Sequence, residues 1–208
     1  MSKENKVRAI QTEVKHLILR DYIEAWGGII LGGISRSPVE DVHFVYVDAN
    51  AFRGSYPGDQ SDGIRHTKNT MVYGSPIIGV VALDELVAFA QRTYSIRLRA
   101  NAILVEENGT YFRELVDALR QKGYDSRLVI NSRNLASLTD KQIAVINADS
   151  TTVVDGLVGY TTSGKKFSLY FLDPWGASSI PLSGYVNRII SQPRHDVIIN
   201  FPYYFSFR

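Results

Sequence analysis

Four short segments of this chain each end a mostly apolar run with an acidic residue, and they constrain the fold more than any other feature. The acids are, in chain order, Asp48, Glu106, Asp149 and Asp173. Apolar runs of this kind are typical of strands that are buried on both faces, and the helical stretches between them predict parallel strands with crossover helices. Since ligands bind outside the carboxyl ends of parallel strands, we expect all four acids to face one crevice.

Hydrophobic spacing predicts the other elements. Helices are expected at about 7–30, weakened or ended by the glycine pairs at 27–28 and 32–33, and at 75–92, 110–122, 152–158 and 185–191. Strands are expected at 42–47, 102–105, 143–146, 167–172 and 196–202, while 128–130 is either a further strand or a connection. The predicted fold class is α/β: a Rossmann-like, doubly wound, mostly parallel sheet with flanking helices and an N-terminal helix.

A length of 208 residues favours a single domain, with residues 1–32 as an N-terminal helical extension. Residues 49–73 are predicted to form a long polar loop, and such loops in compact domains are usually functional or disordered. The chain ends at Arg208 in an aromatic segment just after the fifth predicted strand. We expect either that the chain is truncated there or that this segment packs on a partner or on the domain's own core.

The composition is that of an ordinary globular protein, with 45% apolar and 21% charged residues and no cysteine. The lack of cysteine excludes disulfides, thiolate nucleophiles and zinc–cysteine or iron–sulfur sites within this chain, and it fits a cytoplasmic location. A net charge of +2 does not demand a nucleic-acid partner but allows a local basic face. Neither a signal peptide nor an apolar run of about 20 residues is visible, so we expect no membrane partner.

The first three strand ends offer candidate binding residues. Asp48, with Gly54 in the following loop, suits a turn that presents N–H groups to a ligand, because glycine lets a backbone approach closely. Glu106 can accept hydrogen bonds from the hydroxyls of a ribose. Asp149 and Ser150 can bond an adenine amino group. A polar cofactor that carries both a ribose and an adenine is therefore the expected occupant of the crevice.

The segment Asp173–Pro174–Trp175–Gly176, after the fourth strand, is the most specific motif. Proline after the acid favours an extended geometry at Asp173 and a rigid turn. The carboxylate can accept a hydrogen bond from a target amine, and the Trp175 ring offers a flat face on which a base can stack. The alternative interpretation is a strand-terminating turn with a packed tryptophan.

Three basic residues of the long loop, Arg53, Arg65 and Lys68, are candidate contacts for nucleic-acid phosphates, and the alternative is that they only solvate the loop. Metal and hydrolase chemistry are disfavoured. The four histidines include no close His-x-x-x-His pair. The sequence has neither a Gly-x-Ser-x-Gly elbow nor a Gly-x-x-x-x-Gly-Lys-Ser/Thr phosphate loop.

Several stretches occur in an order and spacing that resemble a known family. They are Leu17–Trp26, Tyr46–Ala49 with Gly74–Ile77, and Phe171–Gly176 with Ile180–Pro181 and then Asp196–Pro202. The chain resembles class I S-adenosylmethionine-dependent methyltransferases and, more closely, the three-Cys-motif partner family, which has that fold. The resemblance implies that Asp48 and Gly54 belong to a cofactor loop and that Glu106 is the acid that binds the ribose. It also implies that Asp149 is the acid on the adenine side and that Asp173 and Pro174 form the acid–proline pair at the methyl-transfer site.

The resemblance implies S-adenosylmethionine as the cofactor and transfer of its methyl group to a nucleobase amine or another nucleic-acid group. It also implies a protein partner with three cysteines and an association with mobile elements or defence. The family's loop usually reads Asp-x-Phe-Ala-Gly-x-Gly, but here Asn50 replaces the Phe and Phe52 replaces the first Gly. Because the Phe52 ring is expected to hinder the methionine moiety, the alternative is a non-catalytic methyltransferase-like subunit that binds nucleic acid or a protein partner.

Overall fold

The computed structural model describes residues 10–36, 41–56, 72–173 and 182–200. The strands are β1 Val42–Asp48, β2 Ser55–Tyr56, β3 Val72–Tyr73, β4 Leu98–Glu106, β5 Leu128–Ile130, β6 Ile143–Asn147, β7 Lys166–Leu172 and β8 His195–Ile199. The helices are α1 Ile10–Ile34, α2 Ser75–Tyr94, α3 Gly109–Gln121, α4 Ser150–Thr162 and α5 Asn187–Ile190. A π-helical turn, Leu182–Val186, precedes α5. No helix in these ranges is long and apolar enough to cross a membrane.

Six of the strands form one sheet in the order β5-β6-β4-β1-β7-β8, and every neighbouring pair is parallel. The predicted α/β class, with a parallel sheet and flanking helices, is confirmed. The chain passes from β1 through α2 to β4 on one side, whereas β7 and β8 lie on the other side of β1. The order of the strands therefore reverses between β1 and β7, which is where ligands bind in open α/β sheets.

Helices cover both faces of the sheet. On one face α1, α2 and α3 pack against β-strand residues that include Phe44, Tyr46, Leu104, Leu169 and Phe171. On the other face α4, the π-helical turn and α5 pack against Val45, Val47, Ile103, Tyr170 and Leu172. All seven residues of β1 are buried, as a strand covered on both faces requires. This double burial explains why the predicted strands show continuous rather than alternating apolar runs.

The first helix continues through both glycine pairs, so the prediction that they would end it is wrong. α1 runs unbroken from Ile10 to Ile34. A Cβ at Gly27 would lie 2.4 Å from the Cδ1 atom of Leu86 on α2, so this glycine lets the two helices cross closely. Trp26 packs on Phe44 with ring centroids 4.8 Å apart. Packing of this kind outweighs the cost of about 1 kcal/mol that each glycine adds to a helix interior.

Other elements differ from the prediction mainly at their ends. β4 and α4 are longer than expected, because tertiary packing extends them beyond the strongest hydrophobic signal. Residues 128–130 form β5, which pairs with β6 at the edge of the sheet. The predicted loop 49–73 contains the antiparallel pair β2–β3, and its residues 57–71 lie outside the described residues. The predicted last strand, 196–202, is β8, and it ends at Ile199.

Candidate functional site

Two carboxyl groups lie at the point where the strand order reverses. Asp48 is the last residue of β1, and Asp173 follows the end of the neighbouring strand β7. The backbone N–H of Ala49 donates to the carbonyl oxygen of Phe171 at 3.1 Å, which joins the two strand ends. The charge of Asp173 contributes to the raised pKa of Asp48. The structure therefore brings together two of the acids that the sequence predicted to share a crevice.

Asp48 is fully buried, with no exposed side-chain surface. The Tyr46 hydroxyl donates to its Oδ2 atom at 3.2 Å, and the backbone N–H of Asn50 donates to Oδ1 at 3.2 Å. Burial is the largest effect on this group, and it raises the pKa of Asp48 from 3.8 to about 7. A carboxyl group that exchanges its proton near neutral pH inside a crevice is typical of a functional site.

Helix α2 shapes the surroundings of Asp48. Gly74 occupies the N-cap position of this helix, which has no side-chain cap bond. Ser75 is already inside the helix, and its side chain bonds the Asp48 carboxyl. A Cβ at Gly79 would lie 2.1 Å from Cε1 of Tyr46, so the missing side chain leaves room for the Tyr46 ring against the helix.

Asp173 is held by two residues that the sequence did not single out. Lys15 of α1 forms an ion pair with its Oδ2 atom, and the Nδ2 atom of Asn200 donates to Oδ1 at 2.6 Å. The Asp173 side chain is 17% exposed, so it remains accessible at the crevice. Helix α1 and the segment after β8 thus fix the orientation of this carboxylate. Its predicted neighbours Pro174 and Trp175 lie outside the described residues.

Glu106 joins two loops. Its Oε2 atom accepts the backbone N–H of Phe52 at 2.8 Å, and its Oε1 atom accepts the backbone N–H of Asn108 at 2.7 Å. The side chain is buried, and burial raises the pKa of Glu106. A ribose bound here would have to share both oxygens with backbone amides, which differs from the open pair of acceptors that the sequence suggested.

An aromatic cluster, defined by Phe52, Tyr56 and Tyr111, lies beside Glu106. The Phe52 ring centroid is 4.2 Å from that of Tyr111 and 5.9 Å from that of Tyr56. Phe52 has a φ of 53°, which places it in the left-handed region. Arg53, a predicted phosphate contact, stacks at 4.9 Å over Phe52 and Tyr111 and pairs with Glu114 at 3.4 Å. The other two predicted contacts, Arg65 and Lys68, lie outside the described residues.

Gly54 has a structural reason for being glycine. Its φ is 74°, a conformation that favours glycine. A Cβ at this position would lie 2.7 Å from Cδ1 of Leu115 on α3. The carbonyl oxygen of Gly54 also accepts the N–H of Gly74 at 2.7 Å, which closes the loop before α2. Packing and turn geometry thus account for this residue without a ligand.

Asp149 is the N-cap of α4, and its Oδ1 atom accepts the N–H and the hydroxyl of Thr151, each at 2.8 Å. The side chain is exposed at the carboxyl edge of the sheet, and Ser150 begins the helix beside it. Tyr185, which the sequence did not single out, reaches the same place from the π-helical turn. Its ring is buried, and desolvation, the main cause, raises the pKa of Tyr185 to about 12. Local sequence carries no signal for this approach.

The fold and the site together define a doubly wound α/β protein with acidic side chains at the carboxyl ends of β1, β4 and β7 and at the start of α4, which follows β6. Comparisons with protein-family models, with curated proteins and with solved structures found no match for the chain. Among the described residues, no group of three or more His, Asp or Glu side chains is placed to hold a metal ion. The chemistry of the crevice therefore has to be inferred from its own residues.

Proposed function

We propose that this chain is an S-adenosylmethionine-dependent methyltransferase that acts on a nucleobase amine or another nucleic-acid group. The observation that carries the proposal is the placement of Asp48 and Asp173 on neighbouring strands at the reversal of strand order. In this proposal the cofactor lies across the ends of β1, β4 and β6, beside Asp149 and Ser150, with the buried carboxyl groups of Asp48 and Glu106 beneath it. The acceptor approaches from the side of Asp173.

The acidic crevice suits a cofactor of positive charge. When bound, S-adenosylmethionine would supply an electrophilic methyl group on a positively charged sulfur. A cation beside Asp48 and Glu106 would favour their ionised forms and so oppose the effect of burial, which raises the pKa of both groups. The residues themselves contribute mainly by holding the two reactants in line, which can account for a large part of a rate enhancement.

Asp173 would position the acceptor. A carboxylate accepts a hydrogen bond from an amine N–H, and Lys15 and Asn200 hold this carboxylate in one orientation. The nucleobase amine is preferred as the acceptor because the acid is followed in the sequence by Pro174 and Trp175, a pairing that suits an amine bonded at its edge and stacked on its face.

A second candidate function, a non-catalytic binding subunit, is favoured by the state of the loop after β1. The Phe52 ring packs on Tyr111, and the backbone N–H of Phe52 occupies one oxygen of Glu106. Both contacts fill the side of the crevice where the methionine and ribose groups of the cofactor are expected. If they persist in solution, the protein would bind nucleic acid or a protein partner without transferring a methyl group.

Calorimetric titration with S-adenosylhomocysteine separates these two candidates. We expect the wild-type chain to bind. Glu106→Gln should bind at least about tenfold more weakly, because one charge-assisted acceptor is lost. The control Glu107→Gln, at the exposed neighbouring position, should bind like the wild type. Phe52→Gly should bind more tightly, since it removes the ring and keeps a residue suited to its φ. A folded wild-type chain that shows no binding at millimolar ligand would refute the methyltransferase proposal and support the second candidate.

Transfer itself is tested with radiolabelled S-adenosylmethionine and a mixture of DNA, RNA and nucleosides. We expect Asp173→Asn to lower the incorporation of labelled methyl groups at least about a hundredfold. The affinity for S-adenosylhomocysteine should stay within about twofold of the wild type, because in this proposal Asp173 contacts the acceptor and not the cofactor. Asp196→Asn, on the neighbouring strand and bonded to Trp26, serves as the control for a carboxylate with a structural partner. Full transfer by Asp173→Asn would remove this residue from the mechanism.

A further inference from the structure

The Tyr185 hydroxyl is a buried polar group that the proposed mechanism does not yet use. The side chain is 4% exposed, and its ring packs in the core on the α4 face of the sheet. None of the described residues gives its Oη atom a hydrogen bond of normal geometry. Most buried hydroxyls in proteins have a partner, so an unpaired one needs an explanation.

Three groups at the carboxyl edge of the sheet act on this hydroxyl. The Ser150 side chain is its near neighbour, and the charges of Asp149 and Asp48 both act on it. Asp149 and Ser150 follow β6, and Asp48 ends β1; these two strands flank β4. The hydroxyl is therefore close to the N-terminus of α4, where Ser150 begins the helix.

The backbone that carries Tyr185 also has an unusual conformation. Residues Leu182–Val186 form a π-helical turn, a rare conformation that occurs often at functional sites. Neighbouring tyrosines on this face are satisfied: Tyr160 donates to the Oδ1 atom of Asn101 at 3.0 Å, and the Tyr170 hydroxyl lies 2.7 Å from that of Thr161. Tyr185 thus differs from Tyr160 and Tyr170 in making no hydrogen bond of normal geometry within the described residues, although the Ser150 side chain lies near its hydroxyl.

The chemistry of the surroundings indicates what the hydroxyl would bind. The N-terminus of α4 carries N–H groups and a positive partial charge, and both attract hydrogen-bond acceptors. The Tyr185 hydroxyl keeps its proton, since burial raises its pKa to about 12, and so it acts as a donor at neutral pH. A ligand group bound here would need an uncharged acceptor, because Asp48 and Asp149 disfavour an anion.

We propose that the Tyr185 hydroxyl donates a hydrogen bond to an acceptor atom of the adenosine part of the cofactor, beside Ser150 at the start of α4. This inference rests on the proposed function and assigns the side of the crevice where the base and ribose lie. Purine ring nitrogens and ribose oxygens are uncharged acceptors of the required kind. Tyr185 is in this proposal a binding residue for the nucleoside and takes no part in methyl transfer.

The test compares Tyr185→Phe with the matched variant Tyr160→Phe by urea unfolding and by calorimetric titration with S-adenosylhomocysteine and with adenosine. We expect Tyr185→Phe to be as stable as the wild type or slightly more stable, because it removes a buried hydroxyl that makes no hydrogen bond of normal geometry. Its affinity for each ligand should fall about tenfold. Tyr160→Phe should lower stability, since it leaves Asn101 with one bond fewer, and should bind both ligands like the wild type.

Three results would contradict this inference in different ways. If the wild type binds and Tyr185→Phe binds equally well, the Tyr185 assignment is wrong while the cofactor proposal stands. If Tyr185→Phe destabilises the protein as much as Tyr160→Phe does, the hydroxyl has a structural partner and no role for a ligand. If the folded wild type binds neither S-adenosylhomocysteine nor adenosine, the proposed function fails and the assignment fails with it.

Discussion

At the scale of single residues, the burial of Asp48 makes the stability of the fold depend on pH. Its pKa is raised from 3.8 to about 7 in the folded chain, so the folded state binds the proton more tightly than the unfolded state does. The stability that this proton contributes is present below about pH 4 and is lost as the pH rises through about 7. Above neutral pH the buried carboxylate is a cost that the fold has to offset.

Asp48→Asn is therefore expected to stabilise the protein at pH 8 and to have little effect at pH 4. The rise of the Asp48 pKa from 3.8 to about 7 limits the gain in free energy of unfolding at pH 8 to about 4 kcal/mol. An imperfect fit of the amide reduces this gain to about 1–3 kcal/mol. Urea unfolding at pH 4, 6 and 8 measures the difference in stability between the variant and the wild type. Asp21→Asn, at an exposed position, is the control. An equal loss of stability at pH 4 and pH 8 would show that Asp48 is needed for its hydrogen bonds, not penalised for its charge.

The candidate site was only partly predictable from the sequence, for reasons that lie in single residues. The strand ends identified Asp48 and Asp173 because the apolar runs before them are long. Lys15 and Tyr185 could not be found in this way, since each reaches the site from an element remote in sequence. Gly54 suggested a ligand loop, but contacts with α3 explain its φ and its missing Cβ.

At the scale of elements, helix α2 determines where the Tyr46 hydroxyl lies. Gly79 faces the Tyr46 ring, and a Cβ there would overlap Cε1 at 2.1 Å. The ring is almost fully buried between α2 and the sheet, so it cannot move away into solvent. A single methyl group on this helix would therefore disturb both the core and the hydrogen bond between Tyr46 and Asp48.

Gly79→Ala is expected to destabilise the protein by about 1–3 kcal/mol through overpacking. Gly159→Ala is the matched control, because nothing lies within 4 Å of a Cβ at that exposed position of α4. There the exchange should stabilise by about 0.5–1 kcal/mol, the ordinary gain of alanine over glycine in a helix. Denaturant unfolding of both variants is sufficient, and similar effects of the two exchanges would mean that α2 can shift away from the sheet.

The elements themselves were more predictable than their ends. The parallel sheet follows from apolar runs at β1, β4, β6 and β7, which a strand covered on both faces requires. The continuation of α1 through Gly27 was not predictable, because it depends on the contact of that residue with Leu86 of another helix. Contacts of this kind are absent from a local pattern, and they decide where a weak helix former is tolerated.

At the scale of the whole molecule, α1 links both ends of the sheet. Lys15 pairs with Asp173 at the carboxyl edge, and Trp26 donates from Nε1 to Oδ2 of Asp196 on the edge strand β8 at 2.8 Å. The inner face of α1 is buried in the same core as β1. Its outer face exposes apolar side chains, among them Leu17 at 58% and Ile29 at 77%. Residues of α1 thus belong to the cooperative core on one side only.

This asymmetry predicts how the chain unfolds. Trp26→Phe is expected to lower the stability of the whole domain by about 1–3 kcal/mol, because Asp196 loses its hydrogen-bond donor and the core loses ring area. Ile29→Lys should change it by less than about 0.5 kcal/mol, since that side chain is exposed. The near-UV circular dichroism of core tyrosines, among them Tyr46 and Tyr170, reports on the sheet, while the far-UV signal follows the helices. If α1 is integral to the core, both signals shift together to lower urea concentration; separate transitions would mean that α1 unfolds independently of the sheet.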